Sequence, residues 1–343
     1  MNIPPNPNPV NLVAIDVSSD ELVVMAQWHD DPKPQKIKCF ANDTHGHQAL
    51  IAWASSANSH PCRFILESTG SYSTQISLTL HQAAQCQVML VHSSLCKHFA
   101  GTCKIRAKTD SVDAALLLEF LKRMPFVPYQ PPLPCIAQLK ALSHRASQLK
   151  KIIATEKNHR HAAELLPDNQ HILDSIEHSL QSNNQLLTLI EQQIQALFKQ
   201  HQSLKQIKAH LCSIKGIADR SAACILAEVL HLPQATNANQ WVAYAGLDPR
   251  PVQSGKSIDK HRCISKQGNF HLRKALYMPA LVAIRSEPVV KAYYQDLLLP
   301  GKAKMQALVA VMRKLIRSIY AMIRYQCDFD PSLFSPAFSS SSS

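Results

Sequence analysis

Apolar positions along this chain follow two different periods, and the change falls near residue 125. Before it, short apolar runs alternate with turn residues. Residues 11–17 form an apolar run with Asp16 near its end, Ser18, Ser19 and Asp20 make a turn, and residues 21–27 alternate. That pattern predicts a strand, a tight turn and a second strand. Residues 35–41 predict a third strand, 42–56 a helix, 63–68 a buried strand with Glu67 near its end, and 87–92 another. Residues 108–124 predict a helix, because Val112, Leu116, Phe120 and Met124 recur at helical spacing.

Five prolines within residues 125–134 cannot continue that helix and predict a linker. Beyond it the period is helical throughout. Residues 136–163 and 172–198 carry apolar side chains at spacings of three and four, which predicts two long amphipathic helices, an antiparallel pair or a coiled-coil arm. Around Ser213 to Ala218 the pattern is helix, short glycine-bearing turn, helix. That arrangement is either a plain αα-hairpin or a helix-hairpin-helix in which Lys215 and the amide of Gly216 hold a backbone phosphate. Residues 238–247 predict a further helix, with Trp241 and Tyr244 supporting a loop around Ser254. Residues 269–322 are helical by pattern, broken at Pro279 and Pro288.

The expected fold is therefore α/β followed by all-α. A strand-and-helix domain spans 11–124, a linker 125–135, a helical arm 136–205 and a mostly helical domain 206–327. Disordered ends are expected at 1–10 and 328–343, the latter ending in a serine tract.

Candidate chemistry gathers at four acids. Asp16 and Glu67 fall near the carboxyl ends of strands, where ligands of open α/β sheets collect. Asp110 and Asp113 are three apart, so they project from one face of a helix's first turn. An oxygen-only set suits Mg²⁺ or Mn²⁺, and two such ions can clamp the attacking and leaving oxygens of a phosphoryl transfer. Taken singly, each acid also fits a turn, a helix-dipole or a solvated-face role. Only 24 of the 343 residues are acidic, which makes four acids in these contexts a notable concentration.

The stretches Ala14-Ile15-Asp16-Val17, Glu67-Ser68-Thr69-Gly70 and Lys108-Thr109-Asp110-Ser111-Val112-Asp113-Ala114 resemble the three acidic motifs of the IS110 family of insertion-sequence transposases, to which Piv-type DNA invertases are related. The resemblance continues through Tyr244-Ala245-Gly246-Leu247, Ser254-Gly255, Ile264-Ser265-Lys266-Gln267-Gly268 and Leu272-Arg273-Lys274-Ala275-Leu276-Tyr277-Met278, and covers residues 11 to 326. It implies an RNase H-like (RuvC-like) N-terminal domain whose Asp16, Glu67, Asp110 and Asp113 hold Mg²⁺ and act in catalysis. It further implies a C-terminal transposase domain in which Ser254 attacks a DNA phosphodiester to form a covalent protein-DNA intermediate. Ser257 is the nearby competitor. The family commonly has a second glycine where Ala218 stands, and glycine in place of Asp259-Lys260-His261. Related members also imply a structured guide RNA, the bridge RNA, that pairs with donor and target DNA, and self-association as a homodimer or tetramer.

Charge agrees with a polyanionic partner: the net charge is +12, and each neutralised phosphate releases counterions. Seven cations (Arg250, Lys256, Lys260, Arg262, Lys266, Arg273, Lys274) face one acid, Asp259, within residues 250–274. Lys97, Lys104, Arg106 and Lys108 form a second acid-free run. Arg313, Lys314, Arg317 and Arg324 offer a further basic face. Ten dispersed cysteines without a C-x-x-C pair argue against zinc ribbons and disulfide frameworks, and the 17 dispersed histidines, His45, His47, His159 and His161 among them, are expected at the surface without metal. No stretch is long and apolar enough for a bilayer and no signal peptide is evident, so a cytoplasmic protein is expected. Three other readings keep the same residues: a Piv-type site-specific DNA invertase, a junction-resolving nuclease in which water attacks, and a non-enzymatic nucleic-acid scaffold in which the acids serve as caps.

Overall fold

In the computed structural model, residues 9–31, 33–68, 70–103, 109–233, 235–254 and 258–334 are described, and the side chains of 250–263 and 333 are outside that description. Most of the two expected terminal tails thus lies outside the described residues, as do Lys104, Arg106, Lys108, Lys256 and Ser257. The chain divides into two compact units, Met1–Pro131 and Pro132–Ser343.

The first unit contains β1 (Asn11–Val17), β2 (Glu21–Gln27), β3 (Lys38–Ala41), α1 (Thr44–Ser56), β4 (Cys62–Glu67), α2 (Ser71–Gln82), β5 (Cys86–Val91), α3 (Ser93–Thr102) and α4 (Asp110–Arg123). Its sheet has the order β3-β2-β1-β4-β5. The β1–β2 and β2–β3 pairs are antiparallel, whereas β4 lies parallel to both β1 and β5. This mixed sheet with flanking helices is in line with the expected RNase H-like domain.

Side-chain alternation along the strands assigns the two faces. Val13, Ile15 and Val17 of β1 join Phe64 and Leu66 of β4 in a core with Leu50 and Ala54 of α1 and Ile76 and Leu80 of α2. Ala14 and Ile65 point the other way, onto Leu117, Leu118, Phe120 and Leu121 of α4 and Cys96 of α3. The stripe that α4 buries is thus Ala114, Leu117, Leu118 and Leu121 together with Leu116 and Phe120, while Met124 is exposed. After α4 the Pro-rich segment does not leave at once. Phe126 takes the Arg63 guanidinium over its ring at 4.7 Å, and the Tyr129 N–H donates to Val88 O at 2.6 Å along β5.

The second unit begins with α5 (Pro134–Glu164) and α6 (Gln170–Gln200), which share the most extensive helix–helix contact in the chain. Joined by residues 165–169, they form an antiparallel hairpin packed through Ile153, Ala163, Ile176 and Leu180. A coiled-coil arm as such is not established. There follow α7 (Gln202–Cys212), α8 (Asp219–Val229), α9 (Ala238–Tyr244), β6 (Pro249–Ser254), β7 (Ile258–Ile264), α10 (Phe270–Ser286), α11 (Pro288–Leu298), α12 (Lys304–Tyr325) and a short 3₁₀ turn (Pro331–Phe334).

Two expectations change here, those for Pro279 and Ser254, while the break expected at Pro288 is present between α10 and α11. Pro279 does not break its helix: α10 runs through it, with Pro279 buried. A proline inside a helix costs about 3 kcal/mol, and close packing offsets that cost. Gly216, at φ +106°, lies so near that an added Cβ would meet Val282 Cβ at 2.7 Å and Pro279 O at 3.0 Å. Pro288 instead occupies the first turn of α11, where its missing N–H costs nothing. Finally, Ser254 does not stand in an irregular loop but ends a strand. β6 and β7 pair antiparallel with Ser254 opposite Ile258 and an irregularity between Pro249 and Pro251. A two-stranded ribbon has only edges, so prolines are tolerated in it.

Candidate functional site: an acidic quartet and a serine ribbon

The pleat decides where the four acids go. Asp16 shares parity with Ala14, and Glu67 with Ile65, so both point to the face of the sheet that α4 covers. The parallel register sets Ile15 opposite Leu66, making Asp16 and Glu67 the next residues of adjacent strands. Helix α4 packs on β1, β2 and β4, and Thr109 starts it by accepting from the Val112 N–H at 3.4 Å. Asp110 and Asp113 fall in that first turn, where a helix N-terminus favours negative charge.

The electrostatics follow from this geometry. The Asp16 carboxyl is pushed up to about 6, first by burial and then by the charges of Asp113, Asp110 and Glu67. Burial also pushes the Cys96 thiol up to about 12, with Glu67, Asp113 and Asp16 adding to it. Cys96, on α3, is a neighbour of the quartet that no motif in the sequence announced. Carboxylates gathered around a half-buried fourth are what a hard divalent cation relieves, so the donor set fits Mg²⁺ or Mn²⁺. Their oxygens do not form a group of three within 4.8 Å of one another, unlike two histidine-containing clusters among the described residues.

In the second unit the motif stretches named above meet at the base of the β6–β7 ribbon. The Asn269 N–H donates to Tyr244 O at 2.6 Å, the Lys266 N–H to Gly246 O at 3.2 Å and the Ser265 N–H to Asp248 O at 2.8 Å. The Ser265 hydroxyl donates to the Asp248 carboxylate at 2.5 Å. Gly268 sits at φ +149°, and a Cβ there would fall 2.4 Å from Tyr244 O, so this position accepts only glycine without a shift. The ribbon that carries Ser254 is therefore anchored at both feet to the end of α9 and the start of α10.

Several residues expected to meet nucleic acid have partners inside the fold. Arg273 donates from Nη1 to Ala245 O at 2.7 Å, and Lys215 pairs with Glu287 at 3.1 Å. Lys314 lies over the Tyr293 ring at 4.1 Å, and Arg317 donates to Asn239 Oδ1 at 2.8 Å, so α12 does not present these two as a bare basic face. Lys274 lines a cavity of about 310 Å³ with Lys150, Arg220, His144 and His271. Lys266 holds a left-handed backbone at φ +51°. Arg250, Lys260 and Arg262 lie on the ribbon strands, but their side chains are outside the described residues.

The histidine expectation also needs correction. His47 is fully buried and bonds Asn42 Oδ1 at 2.9 Å, whereas His159 and His161 are exposed beside Glu156 and Glu164. Nine described cysteines are free thiols, with Cys39 and Cys327 exposed.

Residues 13–167 match the DEDD_Tnp_IS110 transposase family, and residues 208–295 match the Transposase IS116/IS110/IS902 family. The chain belongs to the IS110 family of transposases. The first match carries all four acids and the second carries the ribbon. Among curated relatives of this transposase are the pilin gene-inverting proteins of Moraxella bovis and Moraxella lacunata. Each is 29% identical over 297 residues, covering 85% of this chain and 89% of the relative. An uncharacterized 43.6 kDa protein of insertion element IS110 from Streptomyces coelicolor is 29% identical over 153 residues, 45% of this chain and 36% of its own length. As a family member the protein is a DNA transposase or recombinase. Among the described residues no helix is long and apolar enough to cross a membrane.

Proposed function

We propose that this transposase is a metal-dependent, site-specific DNA recombinase that cuts and rejoins strands through a Ser254–DNA intermediate at sites chosen by a structured guide RNA. The observation that carries the metal-dependent part is the Asp16 carboxyl, raised to about 6 by burial among Asp113, Asp110 and Glu67. Asp16, Glu67, Asp110 and Asp113 would hold Mg²⁺ or Mn²⁺, in two ions. Bound there, the cations supply charge stabilisation at the phosphate oxygens.

Ser254 then loses its proton and attacks a phosphodiester phosphorus. The bond to the adjoining deoxyribose oxygen breaks, that oxygen takes up a proton, and the strand end stays esterified to the serine. Attack by a hydroxyl of another strand reverses these events and frees Ser254. The end of a ribbon pinned at both feet is a suitable mount for such a hydroxyl, since a nucleophile must be held in place. Lys256, Arg262 and Lys266 supply positive charge along the same segment. The net charge of +12 supports DNA and RNA as partners. Exposed Leu165, Leu166 and Ile172 at the tip of the α5–α6 hairpin support self-association as a dimer or tetramer.

The test uses donor and target DNA with the purified chain, with and without RNA transcribed from the element's noncoding flank. Wild type yields recombinants and, after denaturation, DNA ends carrying protein. Ser254→Ala abolishes both. If Ser254→Ala cuts as well as wild type, water is the nucleophile; if Asp16→Asn leaves every activity intact, the acids are structural. Recombination that proceeds equally without RNA removes the guide from the reading.

A second reading, site-specific inversion, is favoured by the two Moraxella relatives, whose printed name is pilin gene-inverting protein and which match most of the chain. A substrate with two inverted sites separates it from transposition: flipping of the intervening segment supports inversion, and joining to a separate target supports transposition.

A further inference from the structure

We propose that His29, Asp30 and His60 form a binding site for a borderline divalent transition metal of the Zn²⁺ class, at the end of the N-terminal sheet remote from the carboxylate quartet. One ring nitrogen of each histidine and a carboxylate oxygen of Asp30 lie within 4.8 Å of one another. The His60 Nε2 to Asp30 Oδ1 distance is 3.5 Å. That is long for a hydrogen bond but close to the separation of two ligands on one tetrahedral ion, about 3.3 Å for bonds near 2.0–2.1 Å. The imidazoles stand edge to face, with centroids 5.0 Å apart and planes at 80°, so they do not stack against each other.

The ligand-bearing segments are held by a network of side-chain amides centred on buried Asn11. Asn11, fully buried at the start of β1, accepts at Oδ1 from the His29 N–H at 3.0 Å and donates from Nδ2 to His60 O at 3.2 Å and to Asn58 Oδ1 at 2.6 Å. Asn58 in turn donates to Asp30 Oδ2 at 3.1 Å and accepts from the His60 N–H at 3.1 Å. Asn58 thus orients the Asp30 carboxylate as outer partners do in metal sites, while Asn11 fixes the backbone that carries the two histidines. Asn11 thereby ties the segment after β2 to the segment before β4, and a metal would clip the same two segments together. Asp16 is five residues further along β1, roughly 17 Å at about 3.3 Å per residue. Imidazole selects borderline metals and an all-carboxylate set selects hard ones, so the two sites sort ions by ligand chemistry.

The other cluster with suitable atoms, His144, Glu228 and His271, is a poorer ion site. Its imidazoles stack at 4.2 Å and 22°, and the Lys140 ammonium lies 3.7 Å from Glu228.

The test is a Co²⁺ titration of the full chain in saturating Mg²⁺, read by visible ligand-field absorption, with Zn²⁺-dependent thermal melting alongside. Wild type is expected to bind one Co²⁺ with the intensity of a four- or five-coordinate nitrogen–oxygen site, and Zn²⁺ to raise its melting temperature. His29→Ala and His60→Ala, both at solvent-reachable positions, should each weaken Co²⁺ by roughly tenfold or more and abolish the melting shift. Asp16→Asn should leave the spectrum unchanged. An unchanged spectrum in His60→Ala, a thiolate charge-transfer band, or failure to saturate would overturn the proposal. None of these readouts involves recombination, so the result stands apart from the function proposed above.

Discussion

Asp16, half-buried on a strand of the first unit, and Glu228, buried on α8 of the second, are carboxylates whose surroundings act on them in opposite senses. Burial raises both. At Asp16 the neighbours Asp113, Asp110 and Glu67 raise it further, to about 6. At Glu228, burial is overcome by the hydrogen bonds from His144 and Asn269 and by the Lys140 charge, and the carboxyl ends below its usual value. Glu228, 2% exposed, also shares Asn269 with the Tyr244 hydroxyl, which bonds that amide at 2.8 Å. One site concentrates charge that only a partner from outside can relieve; the other is already neutralised from within. A carboxylate of the first kind is a candidate for function, whereas one of the second kind belongs to a structural ion-pair network.

The largest expected effect tests the architectural side. Glu228→Ala leaves the Asn269 amide without its acceptor, whereas Lys140 and His144 are each about a third exposed and can rehydrate, so the cost is about 1–3 kcal/mol. Urea unfolding should give a loss in that range, and a loss below about 1 kcal/mol would place Glu228 among ordinary surface ion pairs.

Next comes cation binding at the quartet. At neutral pH, Mg²⁺ at tenfold excess over its Kd should stabilise the native state by about 1.4 kcal/mol. Thermal melting should record that gain in wild type and lose it in Asp16→Asn. An equal gain in Asp16→Asn would mean that the ion binds elsewhere.

A comparable effect, on the order of 1 kcal/mol after allowance for solvent screening, appears as a pH slope. Asp16 binds its proton more tightly when folded, so its contribution to stability falls as pH rises from about 4 to about 6. Asp16→Asn should remove that slope and raise stability at neutral pH without Mg²⁺. Glu228 has the opposite sign: its contribution is present above the ordinary carboxylate range and is lost as pH falls through its depressed value. Measured from pH 3 to 8, the stability differences between each variant and wild type should therefore slope in opposite directions; differences of the same slope would refute the contrast.

The smallest effect is the control. Glu119 on α4 pairs with Lys122 and Arg123 at 2.9 Å each, but its side chain is 38% exposed. Glu119→Ala should cost a few tenths of a kcal/mol at most.

Legibility followed the range of the interactions. Strands β1, β2, β4 and β5 and helices α4 to α6 announce themselves because apolar periodicity over a few residues is a local signal, and the Asp110–Asp113 spacing fixes a shared helix face without any tertiary knowledge. The ribbon of β6 and β7 was not readable, since its residues carry prolines and charges and no alternation. Pro279 misled because the helix around it is maintained by packing against Gly216, a partner more than sixty positions away in sequence.

By itself, then, the sequence determined the succession of elements, the oxygen-only character of the first site, the serine on its basic segment and the family motifs. Only the tertiary structure decided which face of the sheet receives Asp16 and Glu67, that α4 crosses that same face, that Lys314 and Arg273 are used inside the fold, and that His29 and His60 meet across Asn11. The reason is physical. Period and composition are properties of neighbours along the chain, whereas a shift in carboxylate acidity or a meeting of imidazoles depends on segments that only sheet register and helix packing bring together.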